Sequence, residues 1–220
     1  MICPNQISMI EQSDFDCIGN VAKHCDLPKL CIAIQEAQQW DLSQLFCDLD
    51  LLSIYEEIEQ YRKDLKAYEE CLLGENPEEC TKPIEPDDYE LKVNLFCGGT
   101  YQSCSGKTKR HLGIKRVLAY YAYSRYVILN GFSDTPNGLV NKTNEFSIPK
   151  SLTELEKFAD KYRTMGYESA KGVKDFLCRN KDVFTDFNDC DCKACGCANG
   201  CCDSRTKAKG YGYKGRIIEK

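Results

Sequence analysis

"LGIKRVLAYYAYSRYVILN", residues 112–130, decides the fold class. It is a strongly apolar run of helical length without a proline, and Gly131 stands in the position that commonly ends a helix. Its tyrosines, Tyr120, Tyr121, Tyr123 and Tyr126, carry more aromatic surface than one helix easily buries within its own domain. Aromatic side chains are favoured at interfaces; ordinary core packing would claim at least half of the four.

Working outward, a helix is predicted from Leu27 to Gln39, capped by Asp26 with Pro28 in its first turn. A longer helix is predicted to follow Asp41 as its cap. There Leu42, Leu45, Leu49, Leu52, Tyr55, Ile58, Leu65, Tyr68 and Leu72 recur at three- and four-residue steps. It should end near Gly74, before the loop "GENPEECTKPIEP". A short helix is expected over Asp87–Phe96, and "CGGTYQSCSGKTKR" reads as a turn or small hairpin. After the apolar helix, residues 131–150 form a long connection, and connections of that length are usually functional. Ser151 and Glu154 fit a capping box for the last long helix. Its buried stripe should include Leu152, Leu155, Phe158, Ala159, Tyr162, Tyr167, Ala170, Val173, Phe176 and Leu177. The expected fold is mainly α: four main helices in a bundle, a long inter-helix loop and a cysteine-rich C-terminal extension. The divisions are an N-terminal arm (1–26), a helical domain (27–185) and a tail (186–220).

The composition, 42% hydrophobic and 29% charged, suits a globular protein with one core. The first residues have neither a basic start nor an apolar stretch, so no secretory signal is expected. No apolar run reaches the roughly 20 residues of a membrane span. Without an export signal, most of the nine cysteines of the first half (Cys3, Cys17, Cys25, Cys31, Cys47, Cys71, Cys80, Cys97 and Cys104) are expected to be reduced core or boundary residues. Charge is uneven. Asp41–Glu90 has sixteen acids against four bases; residues 91–133 have seven bases and no acid. Such blocks are either solvated faces or complementary surfaces of neighbouring copies.

The tail "CDCKACGCANGCC" (190–202) carries the strongest chemical signal. Cys190, Cys192, Cys195, Cys197, Cys201 and Cys202, with Cys178 before them, could hold zinc through four thiolates. An iron–sulfur cluster fits less well, and a metal-free or oxidised thiol-rich tail is the plain alternative. Gly106-Lys107-Thr108 ends like a phosphate loop, but Tyr101 occupies the place of the required first glycine. His24 and His111 have no nucleophile motif near them, and exposed histidine is the common case. No catalytic constellation is expected, so the chain reads as a non-enzyme.

Three stretches resemble a known family. "IAIQEAQQWDLSQLFCDLDLLSI" is similar to the opening of the head-to-tail connector (adaptor) domain of tailed phages. "LFCGGTY" with "GIKRVLAYYAYSRYVILNG" resembles the glycine turn and tyrosine-rich third helix of the version found in phages of gut Bacteroidetes, and "SDTPNGLVNKTNEFSIP" resembles its long loop. The likeness covers about residues 28–180; the N-terminal arm and cysteine tail depart from it. It implies a non-catalytic virion protein, made in the host cytoplasm, that forms a ring of commonly twelve copies in the neck. Its partners would be its own copies, the portal protein, other neck or tail rings and the DNA passing through the channel, with no membrane. Under that implication Tyr120, Tyr121, Tyr123, Arg125, Asp134 and Asn141 are the candidate subunit-contact residues. The competing reading is a zinc-dependent module whose tail binds nucleic acid or protein.

Overall fold

The apolar stretch forms one helix, α5 (Gly113–Gly131), and the other elements are arranged around it. Ten of its residues are buried, spread from Gly113 to Tyr126 over more than one face. A helix covered so widely needs several neighbours. In a computed structural model describing residues 7–16, 18, 26–46, 49–74, 79–103, 106–135, 138–141 and 151–187, these are α6 (Leu152–Arg179), α1 (Leu27–Glu36) and α4 (Tyr89–Cys97). The protein is mainly α.

The α5–α6 seam is the most extensive contact, and small residues of α6 make it close. Ala159, Gly166 and Ala170 are buried along it. A Cβ on Gly166 would lie 2.7 Å from Cε2 of Tyr121, so that ring rests directly on the α6 backbone. Tyr162 stacks edge-on against Tyr123 at 4.6 Å, and Phe158 adds a third ring. The capping box at Ser151 forms as expected: Ser151 Oγ accepts from the Glu154 amide (3.3 Å), and Glu154 Oε2 accepts from the Ser151 amide (3.0 Å). Of the expected stripe, Ala159, Tyr162, Ala170, Val173, Phe176 and Leu177 are buried, while Leu152, Phe158 and Tyr167 are exposed.

Asp26 caps α1 through its Oδ1, which accepts from the Lys29 amide at 3.4 Å, with Pro28 in the first turn. The chain then departs from expectation. It does not break at Asp41; it widens into a π-helical turn (Ala37–Leu42) and runs on as the single turn α2 (Ser43–Phe46). The next helix, α3 (Leu51–Leu72), is capped by Asp50, whose Oδ1 accepts from the Ser53 amide at 3.0 Å. Asp41 is occupied elsewhere, as described below.

α3 packs on α4 in antiparallel fashion, Tyr55 against Phe96 (5.4 Å) and Tyr61 against Tyr89 (4.7 Å). Its buried residues, Leu51, Ile58 and Tyr61, all belong to its first half. The eleven residues after Tyr61 therefore project about 16 Å past the start of α4 at 1.5 Å per residue. At the tip the chain reverses, and Cys71 is joined to Cys80 by a disulfide with a Cα–Cα distance of 6.0 Å. These two depart from the expectation that most of the nine are reduced core or boundary residues: they lie on either side of a reversal on a projecting arm, away from the core. Cys178 is disulfide-bonded as well, whereas Cys31 and Cys97 are free. Replacing both Cys71 and Cys80 by serine is expected to remove about 2.5 kcal/mol of chain-closure stabilisation from the arm. Hydrogen exchange should then accelerate in residues 62–72 and 79–86 and stay unchanged in α5.

Between α4 and α5 the chain makes the expected hairpin, β1 (Gly99–Gln102) against β2 (Thr108–His111), with Thr100 opposite Arg110. Two glycines in the left-handed region permit the turns into and out of it, Gly98 (φ 90°) and Gly113 (φ 78°). The long connection is not structureless: it opens with a second hairpin, β3 (Phe132–Thr135) against β4 (Gly138–Asn141). Residues 142–150, Cys3, Cys17, His24, Cys25, Cys47, Cys104 and the tail from residue 188 lie outside the described residues.

Candidate functional site

The candidate contact residues on α5 divide by burial. Tyr121 and Tyr123 are 7% and 6% exposed, and Tyr126 is 6% exposed. These three are core, because α6 offers small residues and a ring cluster to receive them. The expectation that α5 has surplus aromatic surface is corrected to Tyr120 alone, which is half-buried, tilted against Tyr162 and covered by the Arg116 guanidinium at 5.9 Å. Burial holds the Tyr121 and Tyr123 phenols protonated, pushing both up to about 12. Asp134 and Asn141 fall in the β3–β4 hairpin, Asp134 opposite Leu139 and Asn141 opposite Phe132.

Arg125 is the centre of a polar cluster inside the chain. Its Nε donates to Asp41 Oδ2 (2.7 Å) and its Nη2 to Asp41 Oδ1 (3.2 Å), while Nη1 donates to Glu36 Oε2 (3.1 Å). The bidentate fork fixes the carboxylate geometrically as well as electrostatically. The guanidinium also lies 5.2 Å from the centre of the Trp40 ring, the only tryptophan of the chain, which is 47% exposed. The π-helical turn makes this possible, since it carries both Trp40 and Asp41 on one widened turn beside α5. The Asp41 hydrogen bonds raise the Arg125 pKa above its ordinary value. Arg125 is three-quarters covered, so its loss should cost more than a surface pair. Arg125→Met is expected to lose about 2 kcal/mol in urea unfolding, and Asp41→Asn about half of that.

This cluster changes the reading of the charge blocks. Lys92 pairs with Glu57 at 2.9 Å, Lys115 with Asp14 at 3.9 Å, and Arg125 with Asp41 and Glu36. Acidic and basic blocks thus partly neutralise one another within a single chain. What remains is at the two ends: acids on the α3 arm, and Lys107, Lys109 and Arg110, all exposed, on the β1–β2 hairpin. Lys109 makes a loose, exposed contact with Asp175 (3.6 Å).

His111 closes β2 and points inward, against the expectation that it is exposed. It is 2% exposed and stacked on Phe176 at 4.4 Å, with Tyr101 at 6.1 Å. Neither ring nitrogen has a hydrogen-bonding partner among the described residues. Burial lowers its pKa to about 4. Tyr101 donates through its hydroxyl to Asp175 Oδ2 (3.1 Å) beside it, so the surroundings of His111 are an aromatic layer with one polar rim.

Gly106-Lys107-Thr108 leads into a strand and not into a helix, so it lacks the helix N-terminus on which a phosphate loop depends. Among the described residues no group of three or more His, Cys, Asp or Glu is arranged to hold a metal ion. The proposed zinc ligands Cys190, Cys192, Cys195, Cys197, Cys201 and Cys202 lie outside the described residues. Among those described, no helix is long and apolar enough to cross a membrane.

Sequence reasoning missed the Arg125 network and the Cys71–Cys80 bridge. The first had a signal, because a guanidinium within a largely apolar helix needs a carboxylate, though the sequence offers many helical acids before Arg125 and does not single out Glu36 and Asp41. The second had a weaker one, two cysteines bracketing a Gly-Glu-Asn-Pro reversal. Neither the curated proteins nor the solved structures contain a match to this chain. Residues 72–196, more than half of the chain and including α4, both hairpins, α5 and α6, match the model of a "Family of unknown function (DUF6712)", and the chain belongs to that family.

Proposed function

We propose that the chain is a structural ring subunit of the head-to-tail connector of a tailed-phage virion, docked on the portal and lining the DNA channel, with no catalytic step of its own. The observation that supports this best is where the connector-like stretches fall. Residues 32–54 run through α1 and the π-helical turn into α3, residues 95–101 join α4 to β1, and residues 113–131 are α5. All three meet around α5, so the sequence that resembles the connector family is also the sequence that builds the core. The connector-like loop stretch includes the β3–β4 hairpin, which leaves α5 at its C-terminal end.

In this reading α1, α3, α5 and α6 are the connector-type bundle. The β3–β4 hairpin, with Asp134 and Asn141, reaches a neighbouring copy or the channel. The cysteine-rich tail is an appendage at a junction between proteins. The partners are further copies of the chain, the portal protein, adjoining neck or tail rings and packaged DNA. The test is co-purification with a co-expressed portal protein, followed by mass photometry and negative-stain imaging. A ring of about twelve copies on the portal is expected by the connector likeness; the absence of both a ring and portal association would end the proposal.

A further inference from the structure

We infer that neighbouring copies join head to tail, the tip of the α3 arm of one docking on the β1–β2 hairpin of the next; this rests on the ring reading and names its contact. The arm is built to be received. The end of α3 leaves Leu73 89% and Leu72 42% exposed, and the returning limb leaves Ile84 94% exposed, aliphatic surface on a projection with no core beneath it. The Cys71–Cys80 bridge ties the two limbs of the arm together, which limits the freedom those limbs lose on docking. Glu69 and Glu79 near the bridge, and Glu85 next to Ile84, all exposed, give this apolar surface an acidic surround.

The hairpin has the opposite chemistry. Lys107 just before β2 and Lys109 and Arg110 on it are exposed, and Leu112, 43% exposed, follows the strand directly. No acidic residue occurs between positions 91 and 133. Lys109 pairs with Asp175 at 3.6 Å, and the other bases of this block are engaged within the chain as well, Lys92, Lys115 and Arg125 in ion pairs and Arg116 over Tyr120, so the hairpin's charge surface rests chiefly on Lys107 and Arg110. A basic surface with an aliphatic edge therefore complements an acidic tip with an aliphatic point.

The two surfaces also lie where a ring needs them. Tyr61 meets Tyr89 at the N-terminal end of α4, and the arm continues outward from there. Phe96 and Gly98 stand at the other end of α4, where the hairpin begins. Arm tip and hairpin thus occupy opposite ends of the α3–α4 pair, and one copy cannot dock its own arm. Unlike surfaces at opposite ends give a heterologous contact, which closes into a ring when each copy is turned by a constant angle.

The experiment uses the full chain and two variants whose substitutions are all on exposed side chains, Leu73→Ser with Ile84→Ser on the arm, and Lys107→Glu with Arg110→Glu on the hairpin. Circular dichroism and thermal melting should match wild type for both. Mass photometry, with and without the portal protein, should give rings for wild type and monomers for either variant, the charge reversals weakening self-association by roughly a hundredfold. An equimolar mixture of the variants should give dimers and nothing larger, because only one intact arm–hairpin pair remains. Rings from both variants would overturn the contact while leaving the ring reading in place. Normal rings from the hairpin variant with lost affinity for double-stranded DNA would assign the hairpin to DNA and overturn it too. A wild-type chain that forms no ring, alone or on the portal, would overturn both.

Discussion

Gly113→Ala is expected to destabilise the protein by about 4 kcal/mol, enough to consume much of the stability of an ordinary domain. Gly113 is the first residue of α5 and sits at φ 78°, where an L side chain costs roughly 1–2 kcal/mol. The larger part comes from crowding. A Cβ at this position would run into the Phe96 carbonyl and the Gly98 amide, backbone groups of α4 and the turn after it. Backbone cannot swing aside as a flexible side chain can, so α4 would have to separate from α5, and Phe96 and Leu95 are core residues. Gly106→Ala is the internal control. Gly106 has a similar φ of 73°, but a Cβ there meets nothing within 4 Å. It should lose only the conformational part, about 1 kcal/mol. Urea unfolding of both variants measures the difference; equal losses would show that the approach of α4 to α5 is not what requires a glycine.

That junction was legible in the sequence only as the glycine turn before an apolar helix. The local signals were read well: the apolar run of α5, the Ser151 capping box, the Asp26 cap with Pro28, and the reversal near Gly74 are properties of a few adjacent residues. What failed depended on distant partners. Asp41 has the look of a helix cap, and locally it would serve as one, but the Arg125 guanidinium, 84 residues away in sequence, takes its carboxylate and the chain stays helical through a π turn. Tyr121 and Tyr123 looked like surplus surface because nothing in α5 itself shows that α6 presents Gly166 to one ring and Tyr162 to the other. The pairing of Cys71 with Cys80 is a fact of the arm's reversal, which composition and compartment arguments do not see. For the candidate site the consequence is that Tyr121 and Tyr123 belong to the core, with Tyr120 left half-buried.

His111 makes the stability of the fold depend on pH over a defined window, and His111→Phe should abolish that dependence. In the unfolded chain its imidazole takes up a proton near pH 6.5, whereas burial against Phe176, Tyr101 and the α6 backbone at Gly172 delays this to about pH 4 in the folded protein. Between those values the unfolded state binds the extra proton, so stability falls as pH falls, by up to about 1.4 kcal/mol per pH unit. The contribution is intact above about pH 6.5, and about 3 kcal/mol is lost by pH 4. Among the described residues no carboxylate is hydrogen-bonded to the ring to offset this; Asp175 bonds instead to the Tyr101 hydroxyl. Phenylalanine keeps a ring stacked on Phe176 and removes two nitrogens that lack partners among the described residues, which should add about 1 kcal/mol at pH 7.5. The diagnostic quantity is the difference between wild type and variant, in which every group common to both cancels. Measured by urea unfolding at steps from pH 7.5 to 4, that difference should widen steadily below pH 6.5. A constant difference across the range would mean that the imidazole is protonated as easily in the folded chain as in the unfolded one.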